Sequence, residues 1–376
     1  MTTPEPHPPF AELVRRQVQA ALVESLADTY APGLREMIER YLSRPARFIR
    51  PRLLIAAARV YGGRRQAPGN KWPPQGEQER HRGMSGAGSE TAANELEPEP
   101  AADSPVLRLA VATELLHVFA LLHDDRVDTP CREGEFSSGS ALLAGDLLFA
   151  EGYGLIAETV ERSHLAPEIL HRVRHVASRT VVGQAADVTF RRTHGDAPTP
   201  ADLYHLYDLK TGLYTIAAPL QIGALAAGCD PGEMAALEAV ALPLGRAFQM
   251  RDDLEDITLA GTRRDSVPPW ELNLAVTYAA ERARRGGGEQ PQIHDDAAFL
   301  TELDVRELER FVTGRIDALM GEAYAAVEYL DLTAARRGDL IRELADVLTS
   351  LTFPPAQENT VGRGYGSQHE RPSQSS

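Results

Sequence analysis

The sequence predicts an all-α protein, one large helical bundle with a central cavity, and three observations carry that expectation. Apolar residues recur at i, i+3 and i+4, as in Val106, Leu109, Ala110, Thr113, Leu116 and Ala120. Alternation of β-branched residues at period two is scarce. Helix-start signals stand in front of apolar runs: Thr199-Pro200 and Asp230-Pro231 each place a capping side chain before a proline at the first helical position, and Asp230 with Glu233 fits a capping box.

The opening MTTPEPHPPF has no basic start followed by an apolar run, so no signal peptide is expected. The helical domain is read as 10–353, interrupted at 62–103 by a polar, Gly- and Pro-rich segment that reads as a disordered insertion. After it comes a long apolar helix ending in HDDRVDTP, where Thr129 before Pro130 disfavours continuation. Thr215–Cys229 is the most apolar stretch; with Pro219 and Gln221 inside it and too few residues to span a bilayer, it reads as a buried helix. A shorter polar stretch surrounds 286–296, and 354–376 reads as a disordered tail.

Of 376 residues, 43% are hydrophobic and 25% charged, enough for a sizeable core. A formal net charge of −15 repels a phosphate backbone, so nucleic acid is not an expected partner, and no membrane anchor is expected. The two cysteines, Cys131 and Cys229, form no CxxC, which argues against a thiolate zinc site and suits a reducing cytoplasm. Only Lys71 and Lys210 are lysines, so a lysine inside a motif stands out.

Two acidic clusters are the informative feature. Asp124 and Asp128 are i, i+4 neighbours with Asp125 beside them, three like charges at a helix C-terminus, where the dipole is also unfavourable. The same spacing recurs 128 residues later as Asp252, Asp253 and Asp256. One such run is ordinarily solvated surface. Two, each after an apolar helical run, favour facing triads that form an oxygen-rich cavity for Mg²⁺ with a diphosphate completing its shell.

The pair resembles the aspartate-rich motifs of the trans-isoprenyl diphosphate synthases, the polyprenyl synthetase family. Arg47-Phe48-Ile49-Arg50-Pro51, ELLHVFALLHDD, GDLLFAEGY, GQAADVTF, KTGLY and Phe248-Gln249 follow in that family's order. The resemblance implies the isoprenoid-synthase bundle, a Mg²⁺ cofactor, a homodimer, and geranylgeranyl- or farnesyl-type products. It implies metal ligation by Asp124, Asp128 and Asp252, supported by Asp125, Asp253 and Asp256. Arg132, Lys210, Thr211 and Gln249 would bind the allylic diphosphate; Arg47, Arg50 and His117 would bind isopentenyl diphosphate. Gln184 and Asp187 would line the cavity, His123 would orient Asp124, and Phe119, five residues before Asp124, would be the floor that limits chain length.

Departures fall on the acceptor side. The family's second arginine after the first cluster is Glu133 here, and its GKxxGxD segment is not recognisable in ITLAGTRRDSVPPWELN, where Arg263 and Arg264 are the available cations. Charge reversal beside a diphosphate weakens binding. Three readings therefore stand: a prenyltransferase elongating an allylic diphosphate, a class I terpene-synthase-like enzyme that ionises and cyclises or hydrolyses a preformed one, and a non-catalytic partner subunit.

Overall fold

The computed structural model describes residues 16, 18–20, 22, 32–44, 47–62, 104–128, 138–161, 163, 166–193, 199–263, 273–287 and 303–349. These residues are predominantly helical, and none of them forms a strand. In chain order the helices are α1 (Pro32–Leu42), α2 (Ile49–Tyr61), α3 (Pro105–Asp128), α4 (Ser138–Val160), α5 (Ala166–Thr193), α6 (Pro200–Tyr207), a π-helical segment (Asp208–Ala217), α7 (Ala218–Ala226), α8 (Met234–Arg263), α9 (Asn273–Gly286), α10 (Val305–Val327) and α11 (Ala334–Thr349). Apart from Gly62, the insertion expected over 62–103 lies outside the described residues, as do the tail 354–376 and most of the polar stretch at 286–296.

The start signal at Thr199 folds as local chemistry dictates. Thr199 accepts from Asp202 N at 3.2 Å while Asp202 accepts from Thr199 N at 2.9 Å, a reciprocal box with Pro200 at the first helical position. At Asp230 the expected box with Glu233 gives way to another arrangement: the side chain accepts from Gly232 N at 2.7 Å and Glu233 N donates to the Asp230 carbonyl at 3.0 Å, opening a 3₁₀ turn, Pro231–Glu233, ahead of α8.

The helix read over 215–229 begins otherwise than expected. Asp208–Ala217 is wound in the wider π register, and even Ala218 N donates five residues back, to Leu213 O. Pro219 lacks an N–H and its ring crowds the carbonyl of Thr215, which the wider turn accommodates. Lys210, Thr211, Tyr214 and Thr215 then all face one cavity.

Two clusters of buried side chains hold the bundle. The larger joins α2, α3, α4, α5, α7 and α8 through residues such as Leu54, Leu115, Leu148, Leu220 and Leu244. The smaller joins α6, α8, α9 and α10 through Leu203, Tyr207, Leu254, Leu274 and Val312. Each fully buried leucine contributes about 1.5–3 kcal/mol over leaving it in water. Two glycines set how closely the walls approach. A Cβ at Gly183 would lie 2.6 Å from the Leu209–Lys210 backbone, and one at Gly245 would lie 2.4 Å from Gly212 Cα, so α5 and α8 both press against the π segment.

The outer side of the bundle is less finished. Leu142, Leu143 and Phe149 on α4 and Val182 on α5 are exposed there, whereas Val181, also exposed, lines the central cavity. Two stretches, Pro105–Arg126 and Gly139–Val160, are long and apolar enough to cross a membrane, although they pack on each other in the bundle. The sequence reading had placed the most apolar stretch elsewhere, at 215–229.

Candidate active site

A cavity of about 890 Å³ opens between α2, α3, α5, the π segment and α8. Asp124 from the end of α3 and Asp252, Asp253 and Asp256 from α8 line it together with Lys210, Thr211, Gln249, Arg47, Arg50, His117 and Phe119. Asp125 does not. Its carboxylate accepts from the Tyr41 hydroxyl at 2.5 Å and from Arg44 Nη2 at 3.1 Å. Arg132 and Glu133 lie outside the described residues, as do the side chains of Asp128 and Arg263.

Hydrogen bonds orient the acidic wall. Gln184 Nε2 donates to Asp124, so Gln184 takes the orienting part expected of His123. The His123 ring instead stands edge-on to Phe119 with centroids 4.7 Å apart, and its Nε2 is 3.3 Å from Leu142 O. Asp253 accepts from Tyr207 and, at 2.7 Å, from Gln249 Nε2, while Thr211 donates to Gln249. Across the cavity, Lys210 Nζ donates to Asp187 Oδ2 at 2.6 Å, and Asn273 Nδ2 donates to the other oxygen of Asp187 at 2.8 Å. Half-buried Asp208 fixes the start of the π segment through two 2.7 Å bonds from Arg246.

Burial raises the pKa of each carboxyl in this wall. Asp253 is pushed up to about 7 by burial, against the Tyr207 and Gln249 hydrogen bonds. Asp256 is exposed at its edge, yet desolvation by the surrounding protein and the neighbouring Asp252 and Glu255 charges push it up to about 6. Asp124 is raised by burial despite Lys210; Asp252 faces solvent, yet the surrounding protein and Glu255 raise it as well. Burial acts against the Lys210 charge, but Asp187 and Asp124 outweigh it and hold the ammonium firmly protonated.

These residues fit a hard divalent cation. The donor set is all oxygen, and its anionic form is under-compensated within the wall, which a bound cation would relieve. No group of three or more His, Cys, Asp or Glu among the described residues is preassembled at ligand distance.

A second polar pocket sits deeper between α2, α3 and the π segment. Phe48, buried at φ 48°, holds a left-handed conformation that a phenylalanine rarely adopts, just before α2. Two residues on, buried Arg50 donates to Thr215 Oγ1 at 2.7 Å and stacks 4.2 Å over the Tyr214 ring. His117 Nδ1 lies 3.2 Å from the Tyr214 hydroxyl, and burial holds its pKa well below the usual value. Glu114, one helical turn before His117, is buried and pushed up to about 7 by burial, with Arg50 opposing. Sequence reasoning missed Glu114, Tyr214, Tyr207 and Asn273; the one visible signal was an acidic residue three positions before His117 in an apolar run.

The family model described as polyprenyl synthetase matches residues 31–263. The chain belongs to the polyprenyl synthetase family. It is 31% identical over 219 residues to the farnesyl diphosphate synthase of Geobacillus stearothermophilus, covering 54% of this chain and 71% of the relative. To the geranylfarnesyl diphosphate synthase of Natronomonas pharaonis it is 33% identical over 167 residues, 42% of this chain and 48% of the relative, so the chain spans about half the length of that protein. Among solved structures, the heptaprenyl diphosphate synthase of Staphylococcus aureus superposes with a TM-score of 0.64 at 16% identity, covering 91% of this chain and 97% of that one. The geranylgeranyl pyrophosphate synthase of Corynebacterium glutamicum, complexed with isoprenyl diphosphate and magnesium, gives 0.62 at 21% identity, covering 90% and 98%. These likenesses show the fold.

Proposed function

We propose that the protein is a Mg²⁺-dependent trans-prenyltransferase that joins isopentenyl diphosphate to an allylic prenyl diphosphate. The observation that carries this reading is one cavity with two chemically different ends. Asp124, Asp252, Asp253, Asp256 and Lys210 occupy one, and the Arg50–His117 pocket occupies the other. A reaction that binds two diphosphates needs both, whereas an enzyme that only ionises a preformed substrate has no use for the second.

Mg²⁺ held by Asp124, Asp252 and their neighbours would neutralise the leaving diphosphate. The chain's own part is to bind and orient. Lys210 supplies a permanent positive charge, and Thr211 and Gln249 present polar atoms to the cavity. The allylic carbon–oxygen bond breaks with its electron pair leaving on diphosphate. The isopentenyl double bond, held through Arg50, Arg47 and His117, attacks the carbon cation, and transfer of a proton to the departed diphosphate restores an alkene. In this reading Asp128 and Arg132 join the metal and allylic ends, and Phe119 is the floor of the chain tunnel.

The name geranylgeranyl carried by matched proteins, and the braced Phe119, support a C20-type product. Two copies would pair through the exposed apolar faces of α4 and α5, and the buried free thiol of Cys229 suits a reducing cytoplasm. The test is incubation with Mg²⁺ and geranyl or farnesyl diphosphate, with and without isopentenyl diphosphate. Longer diphosphates only when isopentenyl diphosphate is present bear the reading out. Cyclic hydrocarbons or alcohols without it overturn it in favour of the terpene-synthase-like reading, and no turnover favours a partner subunit.

A further inference from the structure

We infer that Asn273 is a positioning residue for Lys210, acting through the carboxylate of Asp187. The inference rests on the functional reading above for what Lys210 binds, and on geometry for the rest. Asp187 comes from α5, Lys210 from the π segment and Asn273 from the first residue of α9, so three separate elements meet on one carboxylate. Its two oxygens are divided: Oδ2 takes the Lys210 ammonium at 2.6 Å and Oδ1 takes the Asn273 amide at 2.8 Å.

Asp187 and Asn273 are both buried, at 5% and 2% exposure. The Asn273 orientation follows from its partner: a carboxylate facing a cation accepts, so the amide must present its NH₂ group. The other amide atom, Oδ1, is buried with no hydrogen-bond partner among the described residues. A buried position beside the apolar packing of Leu274, Ala275 and Tyr278 that keeps an amide in place of an apolar side chain carries a desolvation cost that packing does not explain. Fixing Asp187 does explain it. With Oδ1 held, the carboxylate cannot rotate to chelate the ammonium with both oxygens, and Lys210 keeps N–H bonds for a diphosphate in the cavity it lines.

α9 is suited to the task because its apolar face is locked between α8 and α10, with Leu274 against the same cluster as Leu254 and Leu308. Thr277 Oγ1 donates to Asn273 O at 2.7 Å and steadies this first turn. Nothing in the motif order of the sequence pointed to this residue; only the fold brings it 86 positions across the chain to Asp187.

Asn273→Leu keeps the bulk and removes the donor, and Asn273→Asp keeps the shape and replaces the donor with an acceptor. Both are to be compared with the wild-type full-length chain by thermal melting, by calorimetric titration of inorganic pyrophosphate with Mg²⁺, and by steady-state kinetics. The expected result is folded protein in which kcat/KM for the allylic diphosphate and pyrophosphate affinity fall about 10-fold or more, with Asn273→Asp the worse, while KM for isopentenyl diphosphate stays within about twofold of wild type. Unchanged pyrophosphate affinity in a folded Asn273→Asp variant overturns the inference, as does an equal loss for both substrates. If the wild-type chain transfers no prenyl group, the functional reading fails, and the pyrophosphate titration still decides the role of Asn273.

Discussion

The Tyr41 hydroxyl donates to Asp125 at 2.5 Å, tying the second aspartate of the first cluster to helix α1 instead of turning it into the cavity. Asp124, its neighbour, lines the cavity and is oriented by Gln184. Adjacent carboxylates thus have different surroundings, and they are expected to respond differently to removal. Asp124→Ala should cost about 100-fold or more in kcat, as loss of a ligand to a charge-stabilising cation does, and Asp125→Ala about 10-fold or less. Side-by-side turnover of the two folded variants at saturating Mg²⁺ checks this, and equal losses would show that Asp125 leaves Tyr41 to serve the metal.

Glu114 allows a pH prediction with a defined sign. Burial raises its pKa to about 7 from the ordinary 4.5, so the folded protein favours the protonated form. The stability this contributes is complete below about pH 4.5 and is lost as pH rises to about 7. His117 beside it shifts in the opposite sense, so the informative quantity is the difference between wild type and Glu114→Gln, not the slope of either. The two should be nearly equal in stability at about pH 4.5. By about pH 8 the variant should be the more stable by up to about 3 kcal/mol. Denaturant titrations across that range measure the gap, and a gap that shrinks with rising pH would sink the assignment.

Much of this site was legible before any coordinates. The helical period, the end of α3 at its aspartates and the cap at Thr199 follow from local rules, because apolar spacing and side-chain capping act over three or four residues. The two DDxxD clusters were legible because like charges at that spacing have no structural advantage. The rest depends on distance across the fold. The π register of 208–217 is chosen by the Pro219 ring and by close approach at Gly183 and Gly245, neither of which has a period. Asn273 and Tyr207 look like ordinary helix residues until α9 and α6 set them against Asp187 and Asp253.

Phe119 gives a prediction about product length. Its ring packs on Phe149 of α4 with centroids 5.2 Å apart, and Phe149 stacks on Tyr153 at 6.1 Å, so the proposed floor has a second row behind it. Phe119→Ala should open the tunnel and lengthen the main product by at least one isoprene unit. Phe149→Ala, which removes only the brace, should broaden the distribution by less. Chain-length analysis of the diphosphates after dephosphorylation reads both, and an unchanged product from Phe119→Ala would remove it as the floor.

Helix α4 is apolar over most of its surface, yet only 33% of its most apolar window is buried in the bundle. A helix that is hydrophobic all round needs cover on each face. Leu143 at 64% exposure and Val182 at 53%, on neighbouring helices α4 and α5, mark the face left open. A second copy of the chain is the proposed cover, since two such helices presented by each of two subunits can reach the roughly 1,600 Å² of a standard interface. Light scattering should then give twice the 41.0 kDa chain mass. Leu143→Glu combined with Val182→Glu should shift the protein to monomer, because each charge would be buried without a partner on assembly. Both substitutions lie on the outer surface of folded helices, so the melting temperature at high dilution, where subunits are apart, should change little. A wild-type protein that scatters as a monomer, or whose mass is unaffected by the double substitution, would refute this face as the subunit contact. Sedimentation of the wild type with lipid vesicles, lost in the double variant, would identify a membrane as the cover instead.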